Sequence, residues 1–416
     1  MDNPRQTRRH DLDALRGAAM LCGIAFHTTF AFFSWPGPVH VDGADESGFY
    51  DEFFHASHGF RMPLFFLLSG YFTTLLASRR GIRALLEHRV KRILLPLAAA
   101  AAILVPVLNW LIKRIAEPGF TPGSAITFHH LWFLWFLWWF AVGYGVLVSM
   151  AYRARRLLAT SLGYEPNADW LATSAMAKAR LGMMALAPVV SFVAQSQMGN
   201  SGVEPTFGPD IRTGLVAEAH VVIYYAAFFA FGALSFGPLR TCNDTGTVGR
   251  SSELVDRIST GWRFVLPASV FIIGPLAFAA TFGTNTAGLS ARWILAALLQ
   301  TGYTWGMIVG LIGLTGALLA SERIWVRYLS DASYWLYLVH LPLVMAGYWW
   351  VADWPVSRLA KFMIVFGGTI GIGMVTYAYA VRYTPIGRFL NGPRVRPVAT
   401  VHVRHQSPLL ELGSAD

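Results

Sequence analysis

The sequence predicts an all-α polytopic bundle of about ten membrane-spanning helices with both termini in the cytoplasm, and three observations lead there. Hydrophobic residues make up 55% of the 416 positions and charged ones only 13%, far from the balance of a soluble domain. The apolar residues come in blocks of roughly 20, the length that crosses a bilayer at ~1.5 Å rise per residue. The ten excess positive charges gather between alternate blocks, as the positive-inside rule requires. A basic balance of that kind reports topology, so no nucleic-acid partner is expected. Cys22 and Cys242 are too few for a disulfide framework and lack metal-ligand spacing, so neither a metal nor a bound cofactor is expected.

The predicted spans run over 14–34, 57–78, 93–112, 130–151, 182–198, 216–236, 264–283, 293–320, 329–350 and 360–382. Loop 79–92, the Arg153, Arg155, Arg156 cluster, the stretch from Arg240 to Arg263 and the tail with Arg388, Arg394 and Arg396 fall on one side, taken as cytoplasmic. The first opposite loop, 35–55, holds Asp42, Asp45, Glu46, Asp51 and Glu52 with no Lys or Arg. Lys113 and Arg114 run against the rule, and the fifth span is short. Residues 1–392 form one transmembrane domain, and 393–416 a cytoplasmic tail expected to be disordered. The basic N-terminal flank is interrupted by Asp11 and Asp13, so the first apolar run reads as an uncleaved helix. There is no internal repeat, and no loop is long enough for a soluble catalytic domain. Any chemistry therefore sits inside the bundle.

Ionisable residues within spans are costly and so informative. Arg16 and His27 are eleven positions apart, which at ~100° per residue puts them on one face about 16 Å apart, His27 near the bilayer midplane. Taken singly, Arg16 reads as a topology anchor and His27 as an interhelical hydrogen bond; together on one face they favour function. His58 and Arg61 open the second span, and the Ser69-Gly70 pair at its middle admits a ligand or simply another helix. Arg89 and Arg92 make a fork at the mouth of the third span that suits phosphate, with positive-inside anchoring as the alternative. His130 and Trp132 begin the fourth on the outer side, where an aromatic ring can stack on a sugar or anchor in the interface. Glu218 opens the sixth, either orienting His27 or a substrate hydroxyl or resting among headgroups. Ser333, Tyr337 and His340 share one side of the ninth. A phosphate-bearing donor entering from inside and a hydroxylated acceptor from outside fit this arrangement.

The segments LDALRG with the Arg-x10-His spacing, FRMPLFFLLSGYF, RVKRILLP, HLWFLWFL, SYWLYLVHLPLV and RYTPIGRFLNG resemble the membrane acyltransferase-3 superfamily. Within it they are most similar to a branch taken to put succinyl groups on osmoregulated periplasmic glucans. The matching blocks spread from residue 8 to about 393. The resemblance implies that His27 is the catalytic histidine, Arg16 the first-helix arginine, and Arg89 with Arg92 the Arg-x-x-Arg pair that binds the donor.

The expectation is an inner-membrane O-acyltransferase that moves an acyl group from acyl-CoA, succinyl-CoA by the resemblance, to a periplasmic glucan or related polysaccharide. His27, Arg16 and Glu218 are the candidate catalytic residues, and Arg16, Arg89 and Arg92 the donor-binding ones. Asp13, Arg61, Ser69, His130, Trp132, Tyr337 and His340 are the candidate acceptor or cavity residues. Direct transfer and an acyl-histidine intermediate both stand open. Membrane lipid is a further partner, and a homo-oligomer is compatible with the sequence. The rival from another class is a transporter or flippase for a glycan or lipid.

Overall fold

The computed structural model describes residues 9–32, 48–115, 127–161, 174–199, 207–210, 212–236, 259–282, 290–392 and 394. Twelve α-helices lie in these: α1 (His10–Thr28), α2 (Phe49–Arg89), α3 (Leu95–Ile115), α4 (Trp132–Ser161), α5 (Ser174–Gln195), α6 (Ala219–Ser235), α7 (Trp262–Ala268), α8 (Gly274–Thr281), α9 (Ala291–Leu318), α10 (Ile324–Val351), α11 (Arg358–Thr376) and α12 (Pro385–Asn391). Among the described residues there is no strand, only an isolated antiparallel bridge between Thr127 and Gly214. Every predicted span holds helix. Five stretches are long and apolar enough to cross a membrane: Phe49–Ile115, His129–Ser161, Ser259–Thr281, Ala291–Leu318 and Arg358–Val381. The charged α1 and α10 are not among them, and these two carry much of the site described below. Most of the acidic loop 35–55, the stretch 240–258 with Cys242, and the tail apart from Arg394 lie outside the described residues.

Two boundaries differ from the sequence expectation, each for a local reason. The first helix stops at Thr28 instead of running to 34. The Thr28 and Thr29 hydroxyls bond back to the carbonyls of Ile24 and Phe26 at 2.8 and 2.7 Å, which competes with helix continuation. His27 therefore sits in the last turn of α1 and not at mid-helix. Its carbonyl accepts from a backbone N–H at the end of the helix and also accepts a hydrogen bond from the Tyr348 hydroxyl of α10.

The second difference is the expected loop 79–92, which is helical. Its composition (Ala, Leu, Glu, Arg) favours helix, and Arg83 pairs with Glu87 one turn on at 3.1 Å. The chain bends at Gly81, whose φ of 80° and ψ of 167° leave the helical region, a conformation only glycine takes freely. A straight helix would hold residues 73 and 89 about 24 Å apart. Instead the Arg89 guanidinium donates to the Thr73 hydroxyl at 2.6 Å. A π-turn over Val90–Leu94 then leads into α3.

Packing centres on close approaches of small residues. A Cβ on Gly70 of α2 would meet the Phe229 carbonyl at 1.9 Å, and one on Gly232 of α6 would meet that of Leu67 at 1.9 Å. The helices thus touch backbone to backbone, as small residues allow. An aromatic layer surrounds that contact, with Phe66 against Phe133 at 4.9 Å and Tyr225 at 4.7 Å between ring centroids. Elsewhere α1 lies along α10, Gly17 against Leu329.

Candidate active site

A cavity of about 620 Å³ opens between α1, α2, α4 and α10, and runs from a cluster of arginines to a cluster of histidines. Arg16, His27, Arg61, Ser69, Arg89, Arg92, His130, Trp132, Ser333, Tyr337 and His340 all line it. Apart from Asp13 and Glu218, every residue singled out above thus shares one chamber, although they come from four helices and the turn that follows α2.

At the basic end each arginine is held in place by the fold. Arg16 donates to the Ser330 hydroxyl at 2.6 Å and its carbonyl at 3.2 Å, and lies 3.5 Å from Asp13. Asp13 also accepts from the Ser330 hydroxyl at 3.3 Å, so it stands one layer behind the wall and orients Arg16. Arg89 is fixed by Thr73, as above. Arg92 donates to the carbonyls of Arg388 and Phe389 in α12 at 2.6 and 2.7 Å. Those carbonyls belong to the last turn of α12, and that of Arg388 also accepts from the Gly392 amide at 3.1 Å. Gly392 follows at a φ of 97°, which ends the helix. Arg394 pairs with Asp331, and this bond raises the arginine's pKa above its ordinary value. Asp331 and Arg394 both line the cavity. Neither could be placed from sequence, since 63 positions separate them.

The inner end is a set of imidazoles. His27 and His340 have ring centroids 5.0 Å apart, and His340 and His130 are 5.1 Å apart. His340 Nδ1 faces the Tyr337 carbonyl at 2.7 Å and His130 Nε2 the Leu338 carbonyl at 3.0 Å. A carbonyl only accepts, so these nitrogens carry the protons. The second nitrogen of each ring is therefore an acceptor unless the imidazole is doubly protonated. His27 Nδ1 is buried without a hydrogen-bond partner among the described residues. The Tyr337 hydroxyl donates to the His130 carbonyl at 2.7 Å, which ties α10 to the start of α4. His58 lines the same end and donates from Nε2 to the Pro209 carbonyl at 2.7 Å. A buried amide cluster holds the Pro209 segment: Gln300 accepts from the Gly208 amide at 2.8 Å and from Gln195 at 3.0 Å. His129 reaches the cavity from a backbone φ of 46°, uncommon for a non-glycine residue, and bonds Asn109 at 2.8 Å.

Glu218 is not brought to the cavity. It stands at the start of α6, about half exposed, paired with Arg212. Its carboxylate is taken by Arg212, six residues upstream. It orients neither His27 nor any group lining the cavity.

The cavity thus joins a buried histidine cluster to an arginine cluster within an apolar helical bundle. The family model described as an acyltransferase domain matches residues 9–378, and the chain belongs to this acyltransferase-3 family. Among its relatives, glucans biosynthesis protein C of Salmonella heidelberg is 25% identical over 396 residues, covering 92% of this chain and 94% of the relative. The protein of that name from Salmonella paratyphi B is 25% identical over 398 residues, with the same shares covered. No solved structure matches.

Proposed function

We propose that this membrane acyltransferase takes an acyl group from acyl-CoA, succinyl-CoA in the reading above, and transfers it to hydroxyls of an extracytoplasmic glucan. One observation supports this best: Arg16, Arg89 and Arg92 open onto the same chamber as His27. Donor phosphates would exchange for the hydroxyl and carbonyl partners that now hold those arginines, and guanidinium forks suit phosphate oxygens. The thioester then reaches the imidazoles. His27 acts as general base and takes the proton of the acceptor hydroxyl. That oxygen bonds the thioester carbon, the carbon–sulfur bond breaks, and the proton passes to the leaving thiolate. In this reading ten spans cross the inner membrane, both termini are cytoplasmic, and the histidines face the acceptor.

The test is CoA release and glucan acylation by membranes holding equal amounts of protein. General-base catalysis contributes about 10²–10⁴-fold, so His27→Gln is expected to lose turnover on that scale. Glutamine keeps hydrogen bonding but takes up no proton at neutral pH. Near-normal rates in His27→Gln would refute the role of His27, and wild-type membranes that release no CoA from any donor would refute acyl transfer.

A further inference from the structure

Arg61 is not accounted for by phosphate binding or by proton transfer. It lies on α2 with 4% of its surface exposed, its guanidinium carbon 3.8 Å from the centroid of the Phe26 ring. Its Cδ and Nε lie 3.6 and 3.8 Å from where a side chain on Gly23 would begin. Nη1 is buried without a hydrogen-bond partner among the described residues. The ionisable groups that act on it are Cys22 and Tyr225, a thiol and a phenol, and its own charge reaches His27, His58 and His340. None of these supplies a carboxylate. The Tyr225 hydroxyl is likewise buried and unpartnered. Asp210, the carboxylate within electrostatic reach of Tyr225, is committed to the Gly199 amide, Arg212 and His220.

A desolvated guanidinium with an open donor and no counter-ion is costly, and an arriving anion offsets that cost. The phosphate-binding arginines are at the other end of the cavity, so the anion belongs to the transferred group. Gly23 and His27 are four residues apart on α1, ~6 Å along the axis. A four-carbon diacid spans that distance once hydrogen-bond lengths are added to C–C bonds of ~1.5 Å. We propose that Arg61 holds the distal carboxylate of a dicarboxylic acyl group whose thioester carbon lies at His27. This rests on the acyl-transfer reading above and fixes the class of acyl group.

The experiment compares binding of succinyl-CoA and butyryl-CoA to the detergent-purified protein without acceptor. Both carry a four-carbon chain, and butyryl-CoA has a methyl where succinyl-CoA has its carboxylate. The wild type is expected to prefer succinyl-CoA by about 10–100-fold, the worth of a charged hydrogen bond. Arg61→Gln removes the preference and leaves butyryl-CoA affinity unchanged; Arg61→Lys restores part of it. If Arg61→Gln does not survive purification, Arg61→Lys carries the test, with an expected several-fold loss of preference. Equal wild-type affinities for the two thioesters, or a preference that survives in the variants, overturn the proposal while leaving acyl transfer standing. Equal losses of turnover for both donors with unchanged binding preference also overturn it, since Arg61 then acts on the reacting carbonyl. A wild type that binds neither thioester nor free CoA removes the acyl-transfer reading itself.

Discussion

Gly70→Ala is a sharp test of how the wall bearing Ser69 is built. The added methyl would sit 1.9 Å from the Phe229 carbonyl oxygen and 2.9 Å from the Ala233 amide nitrogen. Ordinary contact begins near 3.4 Å, so α6 must retreat by about 1.5 Å. The obstructing atoms are backbone on a helix and cannot swing aside as a side-chain end would. Retreat also opens the seam at Gly232 and loosens Phe66 from Tyr225. Overpacking typically costs 1–3 kcal/mol, and this case belongs at about 3 kcal/mol. Alanine's better helix propensity returns at most ~1 kcal/mol. With an unfolding entropy of ~2.1 cal/mol/K per residue, a net loss of about 2 kcal/mol lowers the midpoint by roughly 2 °C or more. The assay is thermal unfolding of detergent-purified protein, with Gly367→Ala as control because nothing lies within 4 Å of its added methyl. The control should hold or gain stability. A Gly70→Ala protein that unfolds with the wild type would show that the two backbones do not touch.

Two further outcomes follow from the same geometry. Arg89→Ala combined with Arg92→Ala is expected to weaken acyl-CoA binding by at least tenfold, since a charged hydrogen bond is worth roughly 1.5–3 kcal/mol; donor titration checks it, and unchanged affinity would reduce both residues to topology anchors. For the sidedness proposed, single cysteines in 79–92 and in 35–55, placed in a chain lacking Cys22 and Cys242, should label from opposite faces of intact spheroplasts. Labelling of both from one face would refute the ten-span topology.

The helical stretches were legible because a bilayer-length apolar run leaves few alternatives, and Arg16 with His27 stood out because charge inside such a run is rare. What could not be read was pairing across distance. Nothing near Asp331 points to Arg394, 63 positions on, and Arg212, only six residues before Glu218, carries no sign in the sequence that it turns back to it. Tyr225 looked like one more aromatic in an apolar helix, and only the structure shows its hydroxyl buried without a partner among the described residues. The bend at Gly81 was missed for a different reason. A charged stretch between two spans looks the same whether it is loop or amphipathic helix, and the turn depends on one dihedral.

That dihedral gives Gly81 an unusual leverage. A side chain there would meet nothing within 4 Å, which ordinarily marks a position free to vary. Yet Arg89 hangs eight residues farther along, a rigid arm of about 12 Å at helical rise, so a change of 10° in the bend sweeps the guanidinium through roughly 2 Å. That is enough to break its bond to Thr73, and it also shifts Leu85, fully buried on the same arm, and Ile82 and Leu86, which face Gly145 of α4. Substitutions at Gly81 would thus cost folding stability through backbone strain, with no clash at the added side chain, and in the proposed reading would weaken donor binding through the aim of Arg89. In this transferase the aim of the arginine fork is set from outside the cavity by a residue that touches nothing.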